Sequence, residues 1–252
     1  MAYNERYEEI IKILTKLKKV SVQVLTERLK VSEVTIRKDL SFLESQGKLV
    51  RTHGGAVLAE DAEKHSPLSR RKLESLDQKK SIAKVAREFI KEDDTIYIDS
   101  GSTCLQLIHE IRDMSLHVLT NSLDVMIELA NYPQISLCTL GGTLRTEARS
   151  FIGPIAVSAL SNFQIQTCFI GASGISLNGI FSSQNMIEAQ FKKAVIESSQ
   201  RRIILSDITK IGNSAFSIFA KADDIDVLIT DRSFDGIDTL RNSGIEVVVA
   251  GQ

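Results

Sequence analysis

Residues 32–40 read SEVTIRKDL. Ser32 is a good helix cap, and Val34, Ile36, Leu40 and Leu43 supply apolar anchors for a helix running on to Gln46, with Gly47 as its stop. Ser32, Glu33, Thr35, Arg37 and Lys38 then fill the outward positions of the first turns. A charged, solvated helix face explains that arrangement. So does a recognition helix in the major groove, where an arginine bonds guanine bidentately and a threonine or lysine holds phosphate and fixes the register.

The flanking sequence decides between the two. Tyr7, Ile10, Ile11 and Leu14 fall at i, i+3, i+4 and i+7, which predicts a helix from Tyr3 to Lys18, and Val24, Leu25 and Leu29 repeat the stripe in a second helix from Ser21 to Leu29. A tight KVSE turn leads into the third helix. Beyond Gly47, KLVRTHGGAVL places two short extended runs around Gly54 and Gly55, a small β-ribbon that carries Arg51 and His53. A helix pair, a basic third helix and a glycine-rich wing in this order predict a winged helix-turn-helix over residues 1–58.

Charge is divided accordingly. Residues 1–72 hold 15 basic and 10 acidic side chains, giving +5, while residues 73–252 hold 16 and 22, giving −6, so the overall −1 conceals one end suited to a polyanion. The 252 residues leave room for a small domain beside a larger one, and no apolar run approaches the roughly 20 residues of a membrane helix. MAYNERYEEI is too charged for a signal peptide, so a soluble, cytoplasmic protein is expected. Cys104, Cys138 and Cys168 lie far apart without metal or redox spacing; buried thiols are expected, with no metal and no cofactor.

Residues 59–75 are polar, lack periodicity and read as a linker. From residue 76 to 252, β-rich runs such as TIYI, LHVL, QTCFIG, RIIL and VLIT alternate with amphipathic stretches, which predicts a Rossmann-like α/β domain with a mostly parallel sheet. Such sheets bind ligands at the carboxyl ends of their strands. Four segments there qualify: DSGST, giving Asp99, Gly101, Ser102 and Thr103; TNS, giving Thr120 and Asn121; GGTLR, giving Gly141, Gly142 and Arg145; and SDITK, giving Asp207 and Lys210. Hydroxyls at strand ends are often mere helix caps, but their recurrence fits a small, hydroxyl-rich anion, with Lys210 as partner for a phosphate.

The same residues resemble the DeoR-type bacterial transcription regulators. Arg6, Ile10 and Leu14, then 17 residues, then Ser32, Thr35, Ile36, Arg37, Lys38, Asp39 and Leu40 follow that family's signature, and RTHGGA is similar to its wing. The resemblance extends over nearly the whole chain. It implies a C-terminal domain similar to ribose-5-phosphate isomerase that senses phosphorylated sugars, with the site lined by Asp99 to Thr103, Thr120, Asn121, Gly141, Gly142 and Asp207 to Lys210.

A regulator of this kind would bind double-stranded operator DNA as a homo-oligomer, a dimer or tetramer, and would repress a sugar-metabolism operon under control of the bound sugar phosphate. The rival is a sugar-phosphate isomerase with an N-terminal appendage, for which Asp99, Asp207 or Glu188 would be the base. An RNA-binding module has little support, because the N-terminal part has few aromatics on which bases could stack. No catalytic residue is assigned.

Overall fold

The computed structural model of the protein describes residues 3–17, 19–52, 54–58 and 74–251. His53 and residues 59–73, most of the expected linker, lie outside the described residues. The chain divides into two compact units, residues 1–70 and 71–252.

In the first unit, helices α1 (Tyr3–Leu17), α2 (Val22–Leu29) and α3 (Glu33–Ser45) occupy the expected places. The hydroxyls of Ser21 and Ser32 accept from Val24 N at 3.2 Å and Thr35 N at 3.3 Å, and so satisfy amides that the first helical turns leave unpaired. Strands β1 (Lys19–Ser21), β2 (Leu49–Thr52) and β3 (Gly55–Leu58) form an antiparallel sheet in the order β1-β3-β2. The third strand, β1, is an addition to the expected ribbon; three residues are too few to show a period. Gly55 lies inside β3 and not in the turn. A Cβ there would fall 1.8 Å from the Val20 carbonyl oxygen, so only glycine lets β1 close on β3.

Ile10, Leu14, Leu25, Ile36, Leu40, Leu43, Leu49 and Ala56 form the core of this unit. Val34, expected among the anchors, is instead 64% exposed. At 3.6 residues per turn it sits roughly 200° around the helix from Ile36, on the opposite face. Asp39 does turn inward, and its carboxylate receives Arg6 Nε at 2.6 Å and Nη2 at 2.9 Å.

The second unit is built on seven parallel strands in the order β15-β14-β12-β9-β4-β5-β6. These are β4 (Thr95–Ile98), β5 (Leu116–Thr120), β6 (Ile135–Thr139), β9 (Ile165–Gly171), β12 (Ser199–Leu205), β14 (Val227–Thr230) and β15 (Glu246–Val249). Helices α4 (Leu76–Arg87), α5 (Ser102–Ile111) and α6 (Leu123–Leu129) bury Ile82, Leu107 and Val125 against Ile96, Ile98 and Phe169 on one face. On the other, α7 (Pro154–Leu160), α8 (Met186–Glu197) and α9 (Ile237–Asn242) bury Ala156, Phe191 and Leu240 with Tyr97, Cys168 and Ile170. Alternate residues of each strand thus serve opposite layers.

Two antiparallel additions were not anticipated: the hairpin β7 (Thr143–Arg145) and β8 (Ser150–Ile152), and a small sheet of β10 (Gly174–Ile175), β11 (Ile180–Ser183) and β13 (Ser217–Lys221). The main sheet reverses its strand order between β4 and β9, since β5 and β6 follow on one side and β12, β14 and β15 on the other.

The Arg6–Asp39 pair joins α1 to α3, and both side chains are nearly inaccessible. Removing Asp39 takes two charge-assisted hydrogen bonds from a buried guanidinium, whereas neutralising both residues leaves no such charge to satisfy. Asp39→Ala should therefore cost about 3–5 kcal/mol. Arg6→Met combined with Asp39→Leu should recover most of that loss, as read by denaturant unfolding of the full-length protein.

Candidate functional site

On α3, Val34, Arg37, Lys38 and Ser41 are all exposed and fall at i, i+3, i+4 and i+7, so they form one outward stripe directly opposite the core. Ser32 and Glu33 are exposed at the helix start, and Thr35 is half-buried with its hydroxyl 2.9 Å from that of Ser32. Arg37 Nη2 lies 3.5 Å from Glu33 Oε2, an exposed contact of little energetic weight that leaves the guanidinium available. Arg51 fastens the wing to this helix: its backbone amide donates to Glu44 Oε1 at 2.8 Å and its Nη1 to Ser41 Oγ at 2.5 Å.

In the second unit, the carboxyl ends of β4, β5, β6 and β12 carry the four anticipated loops. Gly101 caps α5 without a side chain, and Ser102 and Thr103, both buried, begin it. Thr120 is taken up by the fold: its hydroxyl donates to the Ile98 carbonyl at 2.6 Å and accepts from Ser122 N at 3.0 Å. Asn121 is held at both ends, its Oδ1 accepting from Tyr97 Oη at 2.8 Å and its Nδ2 donating to the Phe151 carbonyl at 3.1 Å. Burial pushes the Tyr97 phenol well up, and the Asp99 charge adds to this, so the donor keeps its proton.

Asp99 ends β4 at the strand-order reversal. Its Oδ2 accepts from Gly171 N at 3.0 Å and from Lys192 Nζ at 2.8 Å. Its Oδ1 is buried without a hydrogen-bond partner among the described residues. Lys192 Nζ also donates to the Gly171 carbonyl at 2.6 Å and lies 3.3 Å from Glu188 Oε1, while Glu188 Oε2 receives Arg145 Nη1 at 2.8 Å. Arg145, Glu188, Lys192 and Asp99 thus alternate in sign from the β7–β8 hairpin to the end of β4. Burial alone would push the Lys192 ammonium down, but the Asp99 and Glu188 carboxylates outweigh it and hold it above the ordinary lysine value. It is a cation at neutral pH.

Lys192 is absent from the sequence reading, and Glu188 appears there only as a base for the rival enzyme. One signal could have exposed Lys192: it follows Ala189 by three and precedes Val195 and Ile196 by three and four, on the apolar stripe of α8, where an unpaired lysine would not be tolerated.

Asp207 and Lys210 stand apart from this quartet. Asp207 Oδ1 accepts from Thr209 N at 3.0 Å and from the Thr209 hydroxyl, capping the short 3₁₀ turn Ile208–Lys210. Lys210 is half-buried, with no ion-pair partner among the described residues. Gly141 and Gly142 both take positive φ, 65° and 107°, leading from β6 into the β7–β8 hairpin. Cys104 and Cys168 are buried as expected, and burial pushes the Cys168 thiol up to about 12, whereas Cys138 is only half-buried. Among the described residues no group of acidic, histidine and cysteine side chains could hold a metal ion, and no helix is long and apolar enough to cross a membrane.

Residues 6–62 match the DeoR-like helix-turn-helix domain and residues 74–232 the DeoR C terminal sensor domain. The chain belongs to the DeoR family of transcriptional regulators. It is 35% identical to the uncharacterized HTH-type transcriptional regulator YulB of Bacillus subtilis, over 93% of this chain and 91% of that one. It is 34% identical to the lactose phosphotransferase system repressor of Streptococcus mutans, over 92% and 93%. Among solved structures, the chain is similar to ribose 5-phosphate isomerase A of Methanocaldococcus jannaschii, with 19% identity, 54% of each chain covered and a TM-score of 0.41.

The turn before Arg145 is tight enough to test. A Cβ on Gly142 would approach the Ile152 carbonyl oxygen to 2.7 Å, at a φ that side chains rarely adopt. Gly142→Ala should cost about 1–3 kcal/mol. Denaturant unfolding reads that cost, and an unchanged midpoint would mean that the hairpin turn is not held this close.

Proposed function

We propose that this DeoR-family protein represses a sugar-metabolism operon, reading duplex operator DNA with residues 1–58 and a phosphorylated sugar with residues 76–252, connected through 59–75. The observation that carries the DNA half is the outward stripe on the capped helix α3 beside a wing fastened to it by Arg51. In this reading Arg37 takes a base edge, while Lys38, Thr35 and Ser32 hold the phosphate backbone with Arg51 and His53 of the wing. Glu33 orients Arg37, and exposed Val34 meets a thymine methyl. A single small module buries too little surface for tight specific binding, so the protein acts in the cytoplasm as a symmetric homo-oligomer on repeated half-sites.

The sensing half rests on the group at the strand ends. Asp99 receives sugar hydroxyls, the amides of Gly101, Ser102 and Thr103 at the start of α5 meet the anion, and Lys210 supplies its counter-charge. Thr120, Asn121, Gly141, Gly142, Arg145 and Asp207 shape the walls. The Streptococcus mutans relative, a repressor named for the lactose phosphotransferase system, supports this direction. Of the carboxylates that could serve as a base for proton transfer between sugar carbons, Asp99 and Glu188 each hold a cation and Asp207 caps its own turn. In this reading the strand ends bind and do not catalyse. Turnover of pentose phosphates by the purified protein would overturn that part.

Arg37→Ala should weaken operator binding by about 1–3 kcal/mol and relax base preference, whereas Lys38→Ala should weaken all sequences alike and flatten the salt slope by about one. Binding measured on operator and scrambled duplexes at several salt concentrations separates the two outcomes; unchanged preference in Arg37→Ala would displace α3 from the groove.

Lys210→Ala should raise the sugar phosphate concentration needed to alter operator binding by roughly tenfold to a hundredfold, and the parent protein should respond poorly to non-phosphorylated sugars. The measurement is operator affinity against a panel of sugars and their phosphates. Equal responses from the two proteins, or a preference for free sugars, would remove phosphate from the account.

A further inference from the structure

The buried ammonium of Lys192 is not needed to hold a phosphate. Only 4% of the residue is exposed, its Nζ donates inside the protein to Asp99 Oδ2 at 2.8 Å and to the Gly171 carbonyl at 2.6 Å, and it is ion-paired with Glu188 Oε1 at 3.3 Å. The effect on Asp99 is one-sided. Oδ2 takes both the ammonium and Gly171 N, while Oδ1, on the same buried carboxylate, has no donor among the described residues. A buried carboxylate oxygen left unpaired is costly, and the cost disappears when a donor arrives.

We propose that Lys192 is a positioning residue for the effector: by fixing Asp99 through Oδ2 it reserves Oδ1 as the acceptor for a sugar hydroxyl, so that the chain distinguishes a hydroxylated phosphate ester from phosphate itself. The inference rests on the reading of the strand ends as a sugar-phosphate site. It is chemically selective. An ionised carboxylate has only acceptors to offer, so Oδ1 favours a hydroxyl and disfavours a phosphate oxygen. Glu188 serves the same end at one remove, since it lies one turn before Lys192 on α8 and is itself fixed by Arg145 at 2.8 Å.

The test is a double-mutant cycle on the full-length protein with Lys192→Met, Asp99→Asn and the double variant. Each is titrated with inorganic phosphate and with ribose 5-phosphate, fructose 6-phosphate and glucose 6-phosphate by calorimetry. The readout is the ratio of affinity for the best sugar phosphate to that for inorganic phosphate. That ratio should fall roughly tenfold to a hundredfold in Lys192→Met. Because Lys192 acts through Asp99, the double variant should lose no more than Asp99→Asn alone.

A ratio unchanged in Lys192→Met, with only the melting temperature lowered, would make the lysine a structural brace and overturn the proposal. Additive losses would show that it meets the ligand independently and overturn it equally. Should Lys192→Met fail to fold with Asp99 left charged, the comparison of Asp99→Asn with the neutral double variant still decides: equal ratios support the proposal and a further drop refutes it. If the parent protein binds inorganic phosphate but none of the sugar phosphates more tightly, the reading of the site fails and the role of Lys192 with it.

Discussion

A lysine ammonium stays charged in a protein interior only where nearby acceptors and anions offset its lost hydration, and in this sensor domain Lys192 imposes that requirement on three parts of the chain at once. Asp99 comes from the end of β4, the Gly171 carbonyl from the end of β9 and Glu188 from the previous turn of α8. The pairing fixes α8 over the two strands between which the sheet reverses its order. It also fixes register. Ile96 and Ile98 face the layer of α4 and α5 while Tyr97 faces α8, and Asp99 follows Tyr97 by two, so a slip of one residue would carry the carboxylate to the wrong layer.

The quartet Arg145, Glu188, Lys192 and Asp99 is electrically balanced, two cations against two anions. It has therefore little net field with which to draw an anion to the strand ends. In the proposed site, attraction for a phosphate would come from elsewhere, from the amides that open α5 and from Lys210, whose ammonium has no ion-pair partner among the described residues. The proposed site thus divides the labour: the balanced quartet would sort hydroxyls, and the groups outside it would supply charge. The first task needs fixed geometry, the second only proximity.

Much of this was legible in the sequence. The winged helix-turn-helix was readable because capped helices of eight or more residues show their period, and the parallel sheet because strands buried on both faces are apolar throughout, as in FIG and IIL. What escaped notice were segments too short for a period, such as β1, the β7–β8 hairpin and the two residues of β10. Val34 was misplaced because a valine beside Ile36 suggests core until its angle around the helix is worked out. At the strand ends the residue types were readable but their partners were not: nothing local to TNS tells that Thr120 bonds Ile98, or that Asn121 is held by Tyr97 and Phe151. Lys192 was hidden for the same reason, since Asp99 and the Gly171 carbonyl that accept from it lie far away in sequence.

The two units share a device. Arg6–Asp39 in the first and Lys192–Asp99 in the second are buried ion pairs that join separate elements, and such pairs add little stability over apolar side chains of the same volume. What they provide is direction. Two leucines between α1 and α3 would tolerate a helix rotated by tens of degrees, because dispersion has no preferred angle. The two hydrogen bonds from Arg6 to Asp39, at 2.6 Å and 2.9 Å, tolerate far less. Since Val34, Arg37, Lys38 and Ser41 occupy the face of α3 opposite its core, the rotation that this pair sets is the rotation that aims the stripe outward. Asp99 is aimed in the same way, with Oδ2 committed and Oδ1 without a partner among the described residues, the oxygen proposed to meet a ligand. In both units a buried cation that is assigned no ligand contact, Arg6 in the first and Lys192 in the second, fixes the orientation of groups proposed to make contact.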